Sequence, residues 1–259
     1  DVRSGRNCGH RSGPNFSLPS TEMRVLITRP QPDAETTAAR LRDMGHVPLV
    51  APLLEIRLLV RADSLDITGF QAVLVTSANG ARALSGATEQ RNTLVFAVGV
   101  ASAETARQAG FASVESADGD VRALKALVTE RLDPGNGPLL HVTGSVTAGD
   151  LVGGLGQSGY VAEALQLYDT DTENTLPGTI EDGLRQGNID AMLLYSPRTA
   201  RTFVNLVNSA GIPELLNNIN VFCLSNAVRD ALGDAGFRSV HVAERPEQDR
   251  LLQLLQMTA

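Results

Sequence analysis

One pattern in this chain is written twice. The run "VLVTSANGARAL", ending at Leu84, returns as "MLLYSPRTARTF", ending at Phe203, with Ser77 and Ser196 in register 119 residues apart. "VFAVGVASAETARQAGFASV" returns as "VFCLSNAVRDALGDAGFRSV", so that Ala109-Gly110-Phe111 recurs 126 residues later as Ala235-Gly236-Phe237. A fainter pair sets Thr28-Arg29 and Gly45 against Thr143-Gly144 and Gly159, at separations of 115 and 114 residues. Three pairs in one order and at nearly one spacing imply two copies of a single α/β unit. A ligand shared by two such lobes is expected in the cleft between them, at the carboxyl ends of both sheets.

Short apolar, β-rich runs alternate with helical patterns along both copies, the signature of βαβ units that build parallel sheets. Strands are predicted near 24–28, 47–50, 72–76, 94–98, 113–115, 138–142, 161–164, 191–195, 220–224 and 239–242. The opening residues 1–22 hold few large apolar side chains and many Gly, Ser, Pro and Arg, so they are expected to form a disordered extension. With 259 residues and 42% hydrophobic content the rest can bury a substantial core. No apolar run reaches the roughly 18 residues of a membrane span, and two cysteines, Cys8 and Cys223, make no disulfide framework. A soluble protein of a reducing cytoplasm is expected. The net charge of −7 speaks against nonspecific binding to nucleic acid or to an anionic membrane.

In each copy a polar motif follows a buried-type strand and opens a helix pattern. Ser77-Ala78-Asn79-Gly80 and Ser196-Pro197-Arg198-Thr199 each place a hydroxyl at the helix cap, with backbone N–H groups pointing out of the helix start. An ordinary cap is one reading, and a cradle for a carboxylate or phosphate is the other. Gly99 and Ser102 follow another strand, where glycine lets the backbone approach a ligand closely. The matched copy carries Ser225 and Val228 at those places. Thr28, Arg29, Thr143 and Gly144 complete the candidate binding set. Tyr168 sits where an apolar run turns polar, so its ring is expected to be half buried with the hydroxyl at a cleft. It is either structural or a proton source.

Other chemistries find little support. Gly154, Gly156 and Gly159 spell a dinucleotide fingerprint but close a helix pattern and lead into a strand, the reverse of the order that fingerprint needs. His10, His46, His141 and His241 lack ligand spacing, so no metal site is expected. Lys125 is the only lysine and lies on an amphipathic stretch, a poor candidate for a Schiff base. No Gly-x-Ser-x-Gly elbow is present. Cys223, in an apolar strand, reads as a small core residue.

From residue 23 to about 255, "VLITRP", "PLLEI", "VTSANGA", "AVGVASAETA", "LQLYDT", "YSPRTARTF" and "ERPEQDRLLQLL" stand in the order found in uroporphyrinogen-III synthases, which the chain resembles. The resemblance implies two α/β domains, each with a parallel five-stranded sheet flanked by helices, joined by a two-stranded linker. The first domain would comprise 23–53 plus 172–259 and the second 57–167, with linker strands near 53–57 and 165–171. It further implies a cofactor-free, monomeric, cyclising lyase of tetrapyrrole (haem) biosynthesis acting on hydroxymethylbilane, with Tyr168 assisting departure of the substrate hydroxyl. Family members often carry threonine at the places of Ser102 and Val228, so a polar role at the second is in doubt. The same duplicated cleft would also suit a non-catalytic, two-lobed sensor for an anion or tetrapyrrole.

Overall fold

A computed structural model describes residues 22–60, 64–145 and 149–258. Apart from Glu22, the expected extension 1–22, with Cys8 and His10, lies outside the described residues. The chain begins with strand β1 (Arg24–Ile27), helix α1 (Asp33–Asp43) and β2 (Val47–Val50). It continues through β3 (Leu54–Leu58), β4 (Ala72–Val75), α2 (Ala78–Ala87), β5 (Leu94–Ala97), α3 (Val100–Gln108), β6 (Val114–Ser116) and α4 (Val121–Arg131). Then come β7 (Leu139–Thr143), α5 (Leu151–Gly156), β8 (Ala162–Gln166) and β9 (Tyr168–Thr172). The last part holds α6 (Gly178–Arg185), β10 (Ala191–Leu194), α7 (Pro197–Ser209), β11 (Asn220–Cys223), α8 (Asn226–Asp230), β12 (Ser239–Val242) and α9 (Gln248–Thr258).

Two all-parallel five-stranded sheets result, in the orders β12-β11-β10-β1-β2 and β6-β5-β4-β7-β8, with β3 and β9 forming a separate antiparallel pair. The orders superpose copy on copy, with β10, β11, β12, β1 and β2 answering to β4, β5, β6, β7 and β8. The strongest repeats in the sequence are thus the βαβ run that starts at each central strand. Tertiary contacts divide the chain into two units. The first holds residues up to Thr28, Asp33–Ala51 and Thr175 onward, and the second holds Arg29–Pro32 and Pro52–Asn174, including the β3–β9 ribbon.

The central strands read as continuous apolar runs because helices cover both faces of each sheet. In β4 all four residues are buried, Val73 and Val75 packing on one face and Ala72 and Leu74 on the other. Ala81, Leu84, Ala103 and Ala106 of α2 and α3 close the first face, and Leu124, Val128, Leu151 and Leu155 of α4 and α5 close the second. A fully buried aromatic such as Phe96 contributes about 3–5 kcal/mol against truncation to alanine. In the first unit Ala34, Ala38 and Leu41 of α1 share a core with Leu251, Leu252 and Leu255 of α9. Cys223 of β11 is also buried, and desolvation pushes its thiol up to about 12, as befits an inert core residue.

The ribbon begins later than the sequence suggested. Leu165 and Gln166 still belong to β8, whose parallel pairing with β7 runs on to Thr143↔Gln166. Leu167, fully buried, donates its N–H to Thr143 O and accepts from Leu59 N, so the chain changes sheets at that residue. From Tyr168 it pairs antiparallel with β3, where Arg57 bridges Asp169 at 3.1 Å and Asp171 at 3.2 Å.

Candidate active site

Each sheet has one place where the chain's winding reverses: β4 leads outward to β5 and β6, while β7 and β8 lie on its other side, and β10 and β1 hold the same relation in the first unit. Loops past the carboxyl ends of such a strand pair diverge and leave a crevice where ligands bind. Ser77 to Gly80 follow β4, and Gly144 follows β7. Thr28 and Arg29 follow β1, and Ser196 to Thr199 follow β10. These candidates therefore follow the strands of the two reversal points, while Gly99 and Ser102 follow β5 and Ser225 follows β11.

The second unit's corner is the more fully assembled. Ser77, in extended backbone, caps α2 by accepting the Gly80 N–H at 2.9 Å. The same hydroxyl lies 2.9 Å from the Tyr168 phenol oxygen, 91 residues along the chain. Tyr168 opens β9 and packs in the core that includes Val75, Val142 and Leu167; it is 9% exposed, more deeply buried than the half-buried ring its sequence context suggested. Burial follows from the change of sheet at Leu167, which swings the next side chain over the end of β7. Gly144 makes room for it: a β-carbon there would stand 2.5 Å from Tyr168 Cε2 and 3.0 Å from its oxygen. Real side chains do not tolerate such an approach, so the ring needs glycine beneath it.

The neighbours are polar, and Arg82 among them is charged. Thr76 Oγ1 lies 3.5 Å from His141 Nε2. Burial lowers the His141 pKa to about 4, so the ring is neutral at physiological pH. Thr143 is buried at the end of β7, and the Asn79 side chain accepts from Arg82 at 2.7 Å. Gly99 heads α3 without a side-chain cap, in extended backbone that any residue adopts, and among the described residues nothing lies within 4 Å of a β-carbon built on it. Neither strain nor packing within the chain demands that glycine. Ser102, by contrast, is only 5% exposed, on the inward face of α3.

At the other corner Ser196 caps α7, accepting the Thr199 N–H at 3.1 Å, while its hydroxyl pairs with Thr199 Oγ1 at 2.8 Å. Pro197 occupies the first turn, where its missing N–H costs nothing. The Thr28 hydroxyl is buried without a hydrogen-bond partner among the described residues. Ser225 precedes a helix of only five residues and makes no side-chain cap, and Val228 is buried as an apolar residue. Lys125 lines two open depressions beside α4, of about 640 and 510 Å³, and no candidate residue lines either. Among the described residues no group of three or more His, Cys, Asp or Glu is placed to hold a metal ion, and no helix is long and apolar enough to cross a membrane.

The fold defines a duplicated α/β protein with candidate residues at the strand reversal of each unit. Residues 35–253 match the family described as uroporphyrinogen-III synthase HemD, and the chain belongs to that family. It is 24% identical over 248 residues to the porphyrin biosynthesis protein HemD of Ruminiclostridium josui, a match covering 90% of this chain but 48% of that protein, so the chain spans about half that relative's length. It is 25% identical over 232 residues to the uroporphyrinogen-III synthase of Chlorobaculum parvum, covering 83% of this chain and 90% of that one. The fold is shared with uroporphyrinogen-III synthetase of Helicobacter pylori, at 15% identity and a TM-score of 0.61 over 92% of this chain and all of that one. A mutant uroporphyrinogen III synthase from Thermus thermophilus aligns with a TM-score of 0.51 at 19% identity, covering 91% and 97%.

Proposed function

We propose that this chain is itself an active uroporphyrinogen-III synthase, converting hydroxymethylbilane to the type III macrocycle in tetrapyrrole (haem) biosynthesis. The observation that carries this reading is the Tyr168 phenol, held 2.9 Å from Ser77 at the strand reversal of the second unit. Hydroxymethylbilane is a linear chain of four pyrroles bearing eight carboxylates. Tyr168 donates its proton to the terminal hydroxyl, which leaves as water and makes ring A an electrophilic azafulvene. The substituted carbon of ring D attacks to give a spiro intermediate, which fragments and recloses with that ring inverted.

Uncatalysed closure gives the symmetric type I isomer, so most of the task is orientation, which can supply about 7–11 kcal/mol. Backbone N–H groups at the starts of α2, α3 and α7 serve as carboxylate ligands, each favouring an anion by about 0.3–1 kcal/mol. Amides at these helix starts let a protein of net charge −7 accept a polyacid without a cationic pocket. Arg29 and Arg198 add positive charge past the ends of β1 and β10. Ser225, ahead of a helix of little more than one turn, contributes least. No cofactor enters the scheme, and cytoplasmic residence as a monomer belongs to the same proposal.

The test is to supply freshly made hydroxymethylbilane and identify the isomer. Type III uroporphyrinogen is expected. If type I alone appears, at the uncatalysed rate, the chain is a tetrapyrrole or anion sensor and the proposal fails.

A further inference from the structure

We infer that Ser77 and Gly144 are positioning residues that hold and polarise the Tyr168 phenol, linking it through two hydrogen bonds to an amide of the α2 helix start. The inference rests on Tyr168 as the proton source proposed above. It assigns the Ser77 hydroxyl to the phenol rather than to a substrate carboxylate.

Three observations combine. The Gly80 N–H, in the first turn of α2, donates to Ser77 Oγ at 2.9 Å. That oxygen has a single hydrogen of its own, and the Tyr168 oxygen stands 2.9 Å away to receive it. A β-carbon at Gly144 would stand 2.5 Å from Tyr168 Cε2, so the ring keeps this place because that residue is glycine. The direction that leaves the phenol proton free runs from Gly80 to Ser77 to Tyr168. Hydrogen bonds in such a chain reinforce one another, and the amide end carries the partial positive charge of the helix start.

The chemistry balances along this line. As the carbon–oxygen bond of the substrate breaks, its electron pair stays on the departing oxygen, which takes the Tyr168 proton and leaves as water. Negative charge grows on the phenol oxygen, and the Ser77 hydrogen bond strengthens with it, as bonds to charged acceptors do. The proton that the substrate releases when its last pyrrole recloses restores the phenol. Ser196, the repeat partner of Ser77, does none of this, because its hydroxyl pairs with Thr199 Oγ1 inside its own helix start.

The decisive experiment compares Ser77→Gly with Ser77→Thr. Glycine is a tolerated helix cap, so Ser77→Gly removes the hydroxyl with little harm to α2, while threonine keeps both hydroxyl and cap. Ser77→Gly is expected to lower kcat on hydroxymethylbilane about 5- to 10-fold, the effect of one lost hydrogen bond, with KM nearly unchanged. Ser77→Thr should restore it. In a Tyr168→Phe background the same Ser77→Gly change should cost less than about twofold, because the group it acts through is gone. An equal loss with and without the phenol, or full activity of Ser77→Gly, overturns the inference while leaving the proposed function standing. A wild-type protein that makes no type III product sinks the proposed function instead. In every case the ring-carbon NMR signal of Tyr168, assigned through Tyr168→Phe, should move in Ser77→Gly, and a signal that stays in place overturns the link whatever the activity.

Discussion

The corner at β4 and β7 and the corner at β10 and β1 are built on one plan, yet only the first turns its cap toward a partner outside the helix. Ser77 and Ser196 each accept the N–H three residues on, at 2.9 and 3.1 Å. Ser77 then meets Tyr168, whereas Ser196 meets Thr199 one turn along. Past the central strand, Gly144 leaves space for a ring where the matched Arg29 carries a side chain. The two copies thus share a helix cap and differ in what its hydroxyl meets. The surrounding helices diverge in the same sense, α3 running nine residues and its counterpart α8 five.

The comparison breaks most visibly at Tyr168. Replacing Tyr168 with Phe should lower kcat for hydroxymethylbilane about 100-fold, the low end for losing a positioned acid, with an unchanged circular dichroism spectrum. A kcat within twofold of wild type would erase the asymmetry between the corners.

Next in size is a difference in acid sensitivity. His141 of β7 matches Leu26 of β1 in the repeat, and both are buried. Burial lowers the folded pKa of His141 to about 4 from 6.5, so the unfolded chain takes up this proton first as pH falls. The contribution of His141 is therefore intact above pH 6.5 and lost on going down toward pH 4, by roughly 2–3 kcal/mol at the lower end. Urea midpoints measured between pH 7 and 4.5 should fall more steeply for wild type than for His141→Leu, which gives the second unit the first unit's residue. Parallel slopes would show that His141 is not held neutral.

The smallest effect sharpens the likeness. Ser77→Ala and Ser196→Ala each remove a cap and should each cost about 1 kcal/mol in thermal or urea unfolding. Their kinetics should part, Ser77→Ala lowering kcat and Ser196→Ala raising KM. A drop in kcat from both would mean that the two corners share the chemistry.

The architecture was largely legible because parallel sheets demand it. Central strands covered on both faces must be unbroken apolar runs, and "VLVTS" and "MLLYS" show themselves as such, each ending on a helix cap. The repeat then fixed which strands correspond. The pairing of Ser77 with Tyr168 was not legible, since it depends on β7 lying beside β4 and on the chain changing sheets at Leu167. The fingerprint-like glycines fell where their order implied: Gly159, at φ +87°, turns the chain after α5 toward β8. The short α8 departs from its repeat partner. Its sequence follows that of α3 closely, but α8 stops at Asp230, and the turn after it holds Gly233 at φ +58°, where α3 still has Arg107 in helix.

The first unit is sewn from segments on either side of the second, with β1 lying between β10 and β2, so Val25 finds Ala191 as its partner. During synthesis, β1 and β2 emerge early and wait with one edge of β1 unmet while the whole stretch from Pro52 to Asn174 is made. At ribosomal speeds of about 5–20 residues per second, the interval from Val50 to Ala191 lasts on the order of ten seconds. The uninterrupted lobe has time to fold in that interval, and the interrupted one depends on a nascent strand that must be kept from pairing with strangers.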